Sequence, residues 1–343
     1  MTSVVLKRRT PSLPSDVVPT SKGLVFIGVG FGLCTISSDY LHGGTVAAVL
    51  GYIAFVLVAV VIYSISNYFT AQSVVSGTFW ALLLILIASL TLYIVQPAVA
   101  VENARLRGVV ENANGLGFAA FCFGALTLAV KIPTTLRVLA VMATLSTLLL
   151  SGSRASAVAL AIFIFASSIL GSKRSQKALM LVLPATLILW LSFPSQFTNA
   201  TLFRTIDTRS GGYETMRMAM TESPWIGVGS QASENFVAGS IFAIGIWGGL
   251  LGILGLLTMY LGVLRMGLDS KPMGFAFVLA GLFHSLFESW MLSFSSPMLL
   301  IFFMVAICCI HSDHASAHLH PQDATIRRPR RQSEVHRRRR LTA

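Results

Sequence analysis

The chain has 343 residues, of which 55% are hydrophobic and 11% charged, with a mean hydropathy of +0.76 and a formal net charge of +12. Soluble domains are about 25% charged, so these side chains are too few to coat a water-exposed surface. That excludes a soluble globular enzyme, a disordered chain and a basic nucleic-acid-binding domain. It leaves an all-α polytopic membrane protein whose basic excess sits in loops and tails.

A membrane helix needs about 20 apolar residues at 1.5 Å rise each. After a tail over 1–22, ten segments fit: 23–38, 44–66, 75–96, 115–132, 135–151, 155–171, 178–195, 236–265, 273–293 and 296–311. The first is short and glycine-rich. Lys7, Arg8 and Arg9 lie far from it, and no soluble domain follows it, so it reads as a retained span rather than a signal peptide. The transmembrane domain is thus 23–311, with one long external loop at about 196–235 before the last three spans. Residues 312–343 form a basic, disordered tail. The four cysteines (Cys34, Cys122, Cys308, Cys309) lie in apolar runs, without the spacing of disulfides or a zinc site.

Both termini are expected in the cytoplasm. Nineteen of the 25 lysines and arginines then fall inside, including all the lysines. The six external cations are all arginine: Arg105, Arg107, Arg154, Arg204, Arg209 and Arg217. A guanidinium forks onto phosphate or carboxylate. These arginines therefore point to a polyanionic ligand, or else to pairing with the external acids Asp39, Glu102, Glu111, Asp207, Glu214, Glu222 and Glu234.

In chain order, the first polar segment is Val101-Glu-Asn-Ala-Arg-Leu-Arg-Gly108, with Asn112 and Asn114 just after it. Its arginines and the opening amides of the next span could hold phosphate; equally, Asn-Ala-Asn-Gly makes a turn. The second is Ser151-Gly-Ser-Arg154-Ala-Ser156, a hairpin tip with an arginine at a span end. Snorkelling would explain the arginine but not the flanking small polar residues. The third is the long loop. A short helix is expected at 213–222, with Arg209, Tyr213 and Arg217 along one face, then Pro224 and a Gly227-x-Gly229 turn. Farther on, His284, Ser285 and Glu288 share one helical face of the ninth span, with Glu288 toward its outer end and His284 deeper. Intramembrane ionisable pairs mark functional sites or lock helices together. The tail, ending Arg337-Arg338-Arg339-Arg340, fits anionic lipid at about 1 kcal/mol per basic residue.

These segments together resemble the O-antigen ligase and polysaccharide polymerase family of bacterial inner-membrane proteins, over roughly residues 100–300. Arg105-x-Arg107-Gly108-x3-Asn112-x-Asn114-x2-Gly117 is similar to that family's arginine-glycine and Asn-x-Asn segment. Ser151-x-Ser153-Arg154 resembles its Ser-Arg hairpin. Arg209-x3-Tyr213, then Pro224-x2-Gly227-x-Gly229, resembles its loop pattern, with Tyr for Trp. Asn235-x9-Gly245-x2-Gly248 resembles its final motif. Two departures stand out: fewer spans than the family usually has, and Glu234 where the family carries histidine.

The resemblance implies a metal-independent glycosyltransferase without cofactor or nucleotide. It would move a glycan from a polyprenyl diphosphate to an acceptor hydroxyl on the outer face of the bacterial cytoplasmic membrane. Arg154 and Arg209 would stabilise the leaving diphosphate, and Glu234 would serve as base. Arg105, Arg107, Asn112, Asn114, Arg204, Tyr213, Arg217 and Asn235 would bind diphosphate or glycan, and His284 and Glu288 would be accessory. The implied partners are a polyprenyl diphosphate-linked oligosaccharide, membrane lipids, and a flippase and chain-length regulator of the same pathway, with no nucleic acid. Two other classes compete. A transferase using polyprenyl monophosphate sugars would act through an acid on the first external loop, where Asp39 stands. A polysaccharide transporter would show repeats, broken helices and midplane charges.

Overall fold

The computed structural model describes residues 21–68, 71–170, 210–231, 239–268, 270, 272–292 and 296–315. Ten helices dominate them: α1 (Ser21–Ser38), α2 (Thr45–Tyr68), α3 (Ala71–Val95), α4 (Ala113–Ala129), α5 (Thr134–Ser151), α6 (Arg154–Ile169), α7 (Ser210–Glu222), α8 (Ser240–Leu268), α9 (Pro272–Phe287) and α10 (Pro297–Ala315). Apart from α7, each covers one of the ten expected apolar segments; the segment at 178–195 lies outside the described residues. Four stretches are long and apolar enough to cross a membrane: Gly23–His42, Gln72–Val95, Thr134–Ser151 and Ser240–Leu268. The others hold shorter apolar helices, such as Ala113–Ala129, so ten crossings are not established. α10 runs to Ala315, into the segment expected as tail.

The helix ends follow backbone chemistry. Pro272 and Pro297 open α9 and α10, where a missing N–H costs nothing. Asn112 caps α4, its Oδ1 accepting from Gly115 N at 2.7 Å. Gly152 ends α5 in the left-handed conformation, at φ 58°.

The outside of the bundle is apolar. Ile94 is 79% exposed, Val46 74% and Leu84 68%. So many large apolar side chains facing outward fit lipid, not water. The interior is centred on α4, where every residue from Gly115 to Ala129 is buried. Its Phe121 stacks on Phe277 of α9 with ring centroids 5.4 Å apart, and Phe277 stacks on Phe302 of α10 at the same distance. The glycines of the first span also find their reason. Gly30 lies so close to α8 that a Cβ there would meet Gly255 O at 2.5 Å. Small residues at a helix crossing bring backbones together where lipid supplies no hydrophobic drive.

α8 is broken. Gly249 has φ 55° and ψ −147°, outside any helix. The chain just after α7 fills the gap. Val228 N donates to Ile246 O and Gly229 N to Trp247 O, each at 2.9 Å. In return Leu250 N donates to Pro224 O at 2.9 Å and Leu251 N to Trp225 O at 3.0 Å. The break frees two carbonyls and two amides, and this segment satisfies all four. Contact here is backbone to backbone: a Cβ on Gly249 would lie 2.7 Å from Gly227 N, and one on Gly227 would lie 2.4 Å from Ile246 O. The Pro224–Gly229 and Ile246–Leu251 segments, whose bonded residues are 18 or 26 positions apart in sequence, thus interlock.

The far end of that segment is pinned to α1. Ser230 N donates to Ser38 O at 2.9 Å, and Ser230 Oγ donates to Asp39 Oδ1. Ser38 Oγ donates to the other carboxylate oxygen at 3.0 Å. His42 Nε2 donates to Ile226 O at 3.0 Å.

Candidate functional site

The polar segment between α3 and α4 folds into a two-residue β-hairpin, with β1 (Val101–Glu102) antiparallel to β2 (Arg105–Leu106). Its turn residues Asn103 and Ala104 have φ of 51° and 59°. Two positive φ values in a two-residue loop are the type I′ signature, which keeps the strands' right-handed twist. The turn sets Arg105 opposite Glu102.

Arg105 reaches down onto two elements. Its Nε donates to Ser151 O at 2.8 Å, and one terminal nitrogen donates to Asn114 Oδ1. Asn114 Nδ2 donates in turn to Glu288 Oε1 at 2.9 Å. An arginine only donates and an ionised carboxylate only accepts, so the amide orientation of Asn114 is fixed by its neighbours. Glu288 follows α9 directly, and its carbonyl accepts from Ser240 Oγ at 2.8 Å.

These groups line an open cavity of about 820 Å³ between the hairpin, the start of α4 and the α9–α10 connection. Its walls include Glu102, Arg105, Glu111, Asn114, Glu288 and Trp290. The carboxylates, amides and indole form a lining suited to hydroxyl-rich ligands: carboxylates accept from hydroxyls, amides both donate and accept, and an aromatic ring offers an apolar face.

A second polar line runs behind the cavity. Trp290 Nε1 donates to His284 Nδ1 at 3.0 Å, and His284 Nε2 lies 2.9 Å from Ser156 Oγ. Ser156 Oγ lies 2.8 Å from Ser153 Oγ. His284 is fully buried, with the Phe118 ring 4.8 Å away. The Ser151–Arg154 hairpin rests on α4 at Gly117, where a Cβ would sit 2.3 Å from that of Ser153. Both lines therefore tie this hairpin to the 288–290 turn.

Of the residues singled out from sequence, Arg105, Asn112, Asn114 and Glu288 meet at the cavity, although Asn112 spends its side-chain oxygen on capping α4. Arg107 turns away, its Nε donating to Val99 O at 3.3 Å. Arg154 is the first residue of α6; its side chain is exposed and does not line the cavity. Tyr213 is 57% exposed on α7. Arg217 pairs with Glu214, with 2.6 Å between its terminal nitrogen and Oε1. The Arg217 hydrogen bond, then its charge, lowers the Glu214 carboxyl below its ordinary range. Arg204, Arg209, Glu234 and Asn235 lie outside the described residues. His284 sits behind the cavity wall rather than in the cavity.

Sequence reasoning missed Trp290 and Ser156 as site residues. Trp290 read as part of an apolar span; the signal was the Glu-Ser-Trp break at the end of that span. Ser156 was visible only as a flanking residue of the hairpin. No protein-family model and no curated protein matches the chain.

Proposed function

We propose that this is a membrane-embedded glycosyltransferase that moves a glycan from a polyprenyl diphosphate to an acceptor hydroxyl. It would act as a polymerase, or an O-antigen-type ligase, for exported polysaccharide on the outer face of the bacterial cytoplasmic membrane. The observation that carries the reading is the Arg105–Asn114–Glu288 line along an open polar cavity at the end of an apolar bundle. Two of the segments quoted for the family resemblance support it: Arg105 to Gly117, whose first half lines the cavity, and the Ser151–Arg154 hairpin, which holds Arg105 through Ser151 O.

In the reaction, the acceptor oxygen forms a bond to the anomeric carbon. The bond from that carbon to the phosphate oxygen breaks, and the electron pair leaves with the lipid diphosphate. The hydroxyl proton passes to a carboxylate. Glu288, whose carboxylate accepts from Asn114, is one candidate for this base, and Glu234 is the candidate read from sequence. Arginine charge at the diphosphate, from Arg154 and Arg209, stabilises the departing group. The cavity carboxylates Glu102 and Glu111 take sugar hydroxyls.

A transporter is the second reading, because α8 is broken and broken helices mark transport sites. Here the freed backbone groups are taken up by Pro224–Gly229 rather than facing a cavity. The monophosphate-sugar reading loses force, since the Asp39 carboxylate is occupied by Ser38 and Ser230 as a strut.

The test is reconstitution of the full chain in lipid with a polyprenyl diphosphate-linked oligosaccharide. Longer glycans with release of polyprenyl diphosphate are expected, and Glu288→Gln should abolish them. Flux of the lipid-linked glycan without any bond formation would replace this reading with transport.

A further inference from the structure

α1 and α2 part to leave an apolar groove of about 640 Å³ on the outside of the bundle. Its floor is small and closed: Gly32, Thr35 and Ala48 are all buried. Its walls stand open. Ile36 of α1 is 46% exposed, and Val49, Ile53 and Leu57 of α2 are 53%, 50% and 60% exposed. Beside the groove the two helices touch, where Phe55 stacks on Phe31 with ring centroids 5.7 Å apart. At its mouth the turn between them is held by Gly44 N, which donates to Asp39 O at 2.8 Å. The gap therefore lies within a braced helix pair. From Ala48 to Leu57, α2 advances about 13 Å at roughly 1.5 Å per residue. That is close to one leaflet, half of a hydrocarbon core about 30 Å thick. An apolar crevice open to the bilayer over that depth is filled by hydrocarbon rather than water.

Two phenols say which hydrocarbon. Tyr40 and Tyr52 line the groove at 56% and 48% exposure, and neither hydroxyl has a hydrogen-bond partner among the described residues. Tyr40 stands at the mouth, just past the end of α1. Tyr52 lies two turns into α2, with its ring against Gly32. Helical side chains lean toward the start of their helix, which for α2 is the mouth. A hydroxyl at the hydrocarbon boundary needs an acceptor. The ester carbonyls of a glycerophospholipid lie at that boundary, whereas an isoprenoid chain carries no oxygen there. Among the described residues no lysine or arginine lines the groove, and Asp39, beside the mouth, is an acid, so a diphosphate finds no counter-charge. We infer that the α1–α2 groove binds one acyl chain of a glycerophospholipid, with the Tyr40 and Tyr52 hydroxyls donating to its ester oxygens. The bound lipid braces the α1–α2 turn, which in turn holds the root of the loop through Asp39 with Ser230 and His42 with Ile226. The site is independent of the proposed glycan transfer and needs only a bilayer.

The experiment places the full chain in nanodiscs of phosphatidylethanolamine and phosphatidylglycerol. The discs are doped with a phospholipid that carries a photoreactive diazirine in its acyl chain, and adducts are mapped by mass spectrometry. Labelling at Ile36 and Ile53 is expected to exceed that at Leu84 and Leu257, exposed apolar residues outside the groove, by about fivefold or more. Gly32→Leu fills the floor. Its first added carbon sits 3.6 Å from the Tyr52 ring, an ordinary contact, so the helices keep their places. Groove labelling in this variant should fall to the level outside. Tyr52→Phe keeps the ring and removes the hydroxyl, and should lower groove labelling about threefold, within the range of one neutral hydrogen bond. In detergent, added phosphatidylglycerol should raise the thermal midpoint of the parent chain and leave that of Gly32→Leu unmoved.

Equal labelling inside and outside the groove would overturn the inference and leave ordinary boundary lipid only. Groove labelling displaced by polyprenyl phosphate but not by unlabelled phospholipid would put an isoprenoid chain there and overturn the phospholipid assignment. Labelling unchanged in Tyr52→Phe would overturn the ester contact. A groove that takes no label and cross-links to a second copy would be a dimer contact instead. None of these readouts depends on whether the protein transfers a glycan.

Discussion

Asn114 joins Arg105 to Glu288: its Nδ2 donates to Glu288 Oε1 at 2.9 Å while its Oδ1 accepts from the guanidinium. The amide is neutral, so it orients the carboxylate without neutralising it, as the proposed role of Glu288 as base would require. Asn114→Asp replaces the donor with a second carboxylate facing Glu288. Two carboxylates sharing a site raise the pKa of one of them. A base must be unprotonated to act, so activity should fall off at a higher pH on the acid side than in the parent chain. The pH profile of kcat/KM checks this; an unmoved acid limb would separate Glu288 from the proton transfer.

Gly249 should tolerate no side chain. Its φ is 55°, and a Cβ would press on Gly227 N at 2.7 Å. Gly249→Ala is expected to cost roughly 1–3 kcal/mol for backbone strain alone, with the contact added to that. A lower thermal midpoint and reduced yield in the membrane would show it. Gly227→Ala, at φ 68° against Ile246 O, should behave alike.

Ala104 offers the opposite change. It holds φ 59° in the hairpin turn, a region that costs an L residue roughly 1–2 kcal/mol. Ala104→Gly removes that strain, less the extra entropy of glycine in the unfolded chain. A net gain of a few tenths to about 1 kcal/mol is expected, read as a raised thermal midpoint with turnover unchanged.

Arg217 and Glu214 should matter little to the reaction. Their side chains are exposed and satisfy each other. Arg217→Ala is expected to leave kcat and KM within about twofold, since exposed pairs of this kind contribute little. Glu214 titrates below its ordinary range because Arg217 binds its charged form. The pair's contribution is therefore present above the ordinary carboxylate pKa and disappears as pH falls through the lowered one. Chemical-shift titration of Glu214 before and after Arg217→Ala would show its midpoint move up.

Apolar runs were the legible part of the fold. Nine of the ten expected segments coincide with helices because a 20-residue apolar stretch has few alternatives near lipid. The break in α8 was not legible. Gly248-Gly249 reads as one more small pair in a glycine-rich helix, and only the incoming Pro224–Gly229 segment makes a non-helical, positive-φ conformation favourable there. At the site, Arg105, Asn114 and Glu288 were each visible as polar residues at the ends of apolar runs. What joined them was hidden. Asn114 and Glu288 are 174 positions apart, and spacing carries no information about a tertiary contact of that kind. His284 drew notice as an intramembrane ionisable group, yet its partners are Ser156, which read only as a flank of the hairpin, and Trp290, which read as part of an apolar span.

The interlock of Pro224–Gly229 with the broken α8 bears on how this protein can be altered. The root of the loop is a missing piece of a membrane helix, supplied from outside that helix. The loop therefore cannot be transplanted or exchanged by itself. A chimera that takes residues 223–230 from one protein and the helix from another would leave two carbonyls and two amides mismatched where water is scarce. The two stretches travel as a single cassette, and any exchange of the loop has to cut upstream of Ser223 or carry α8 along with it.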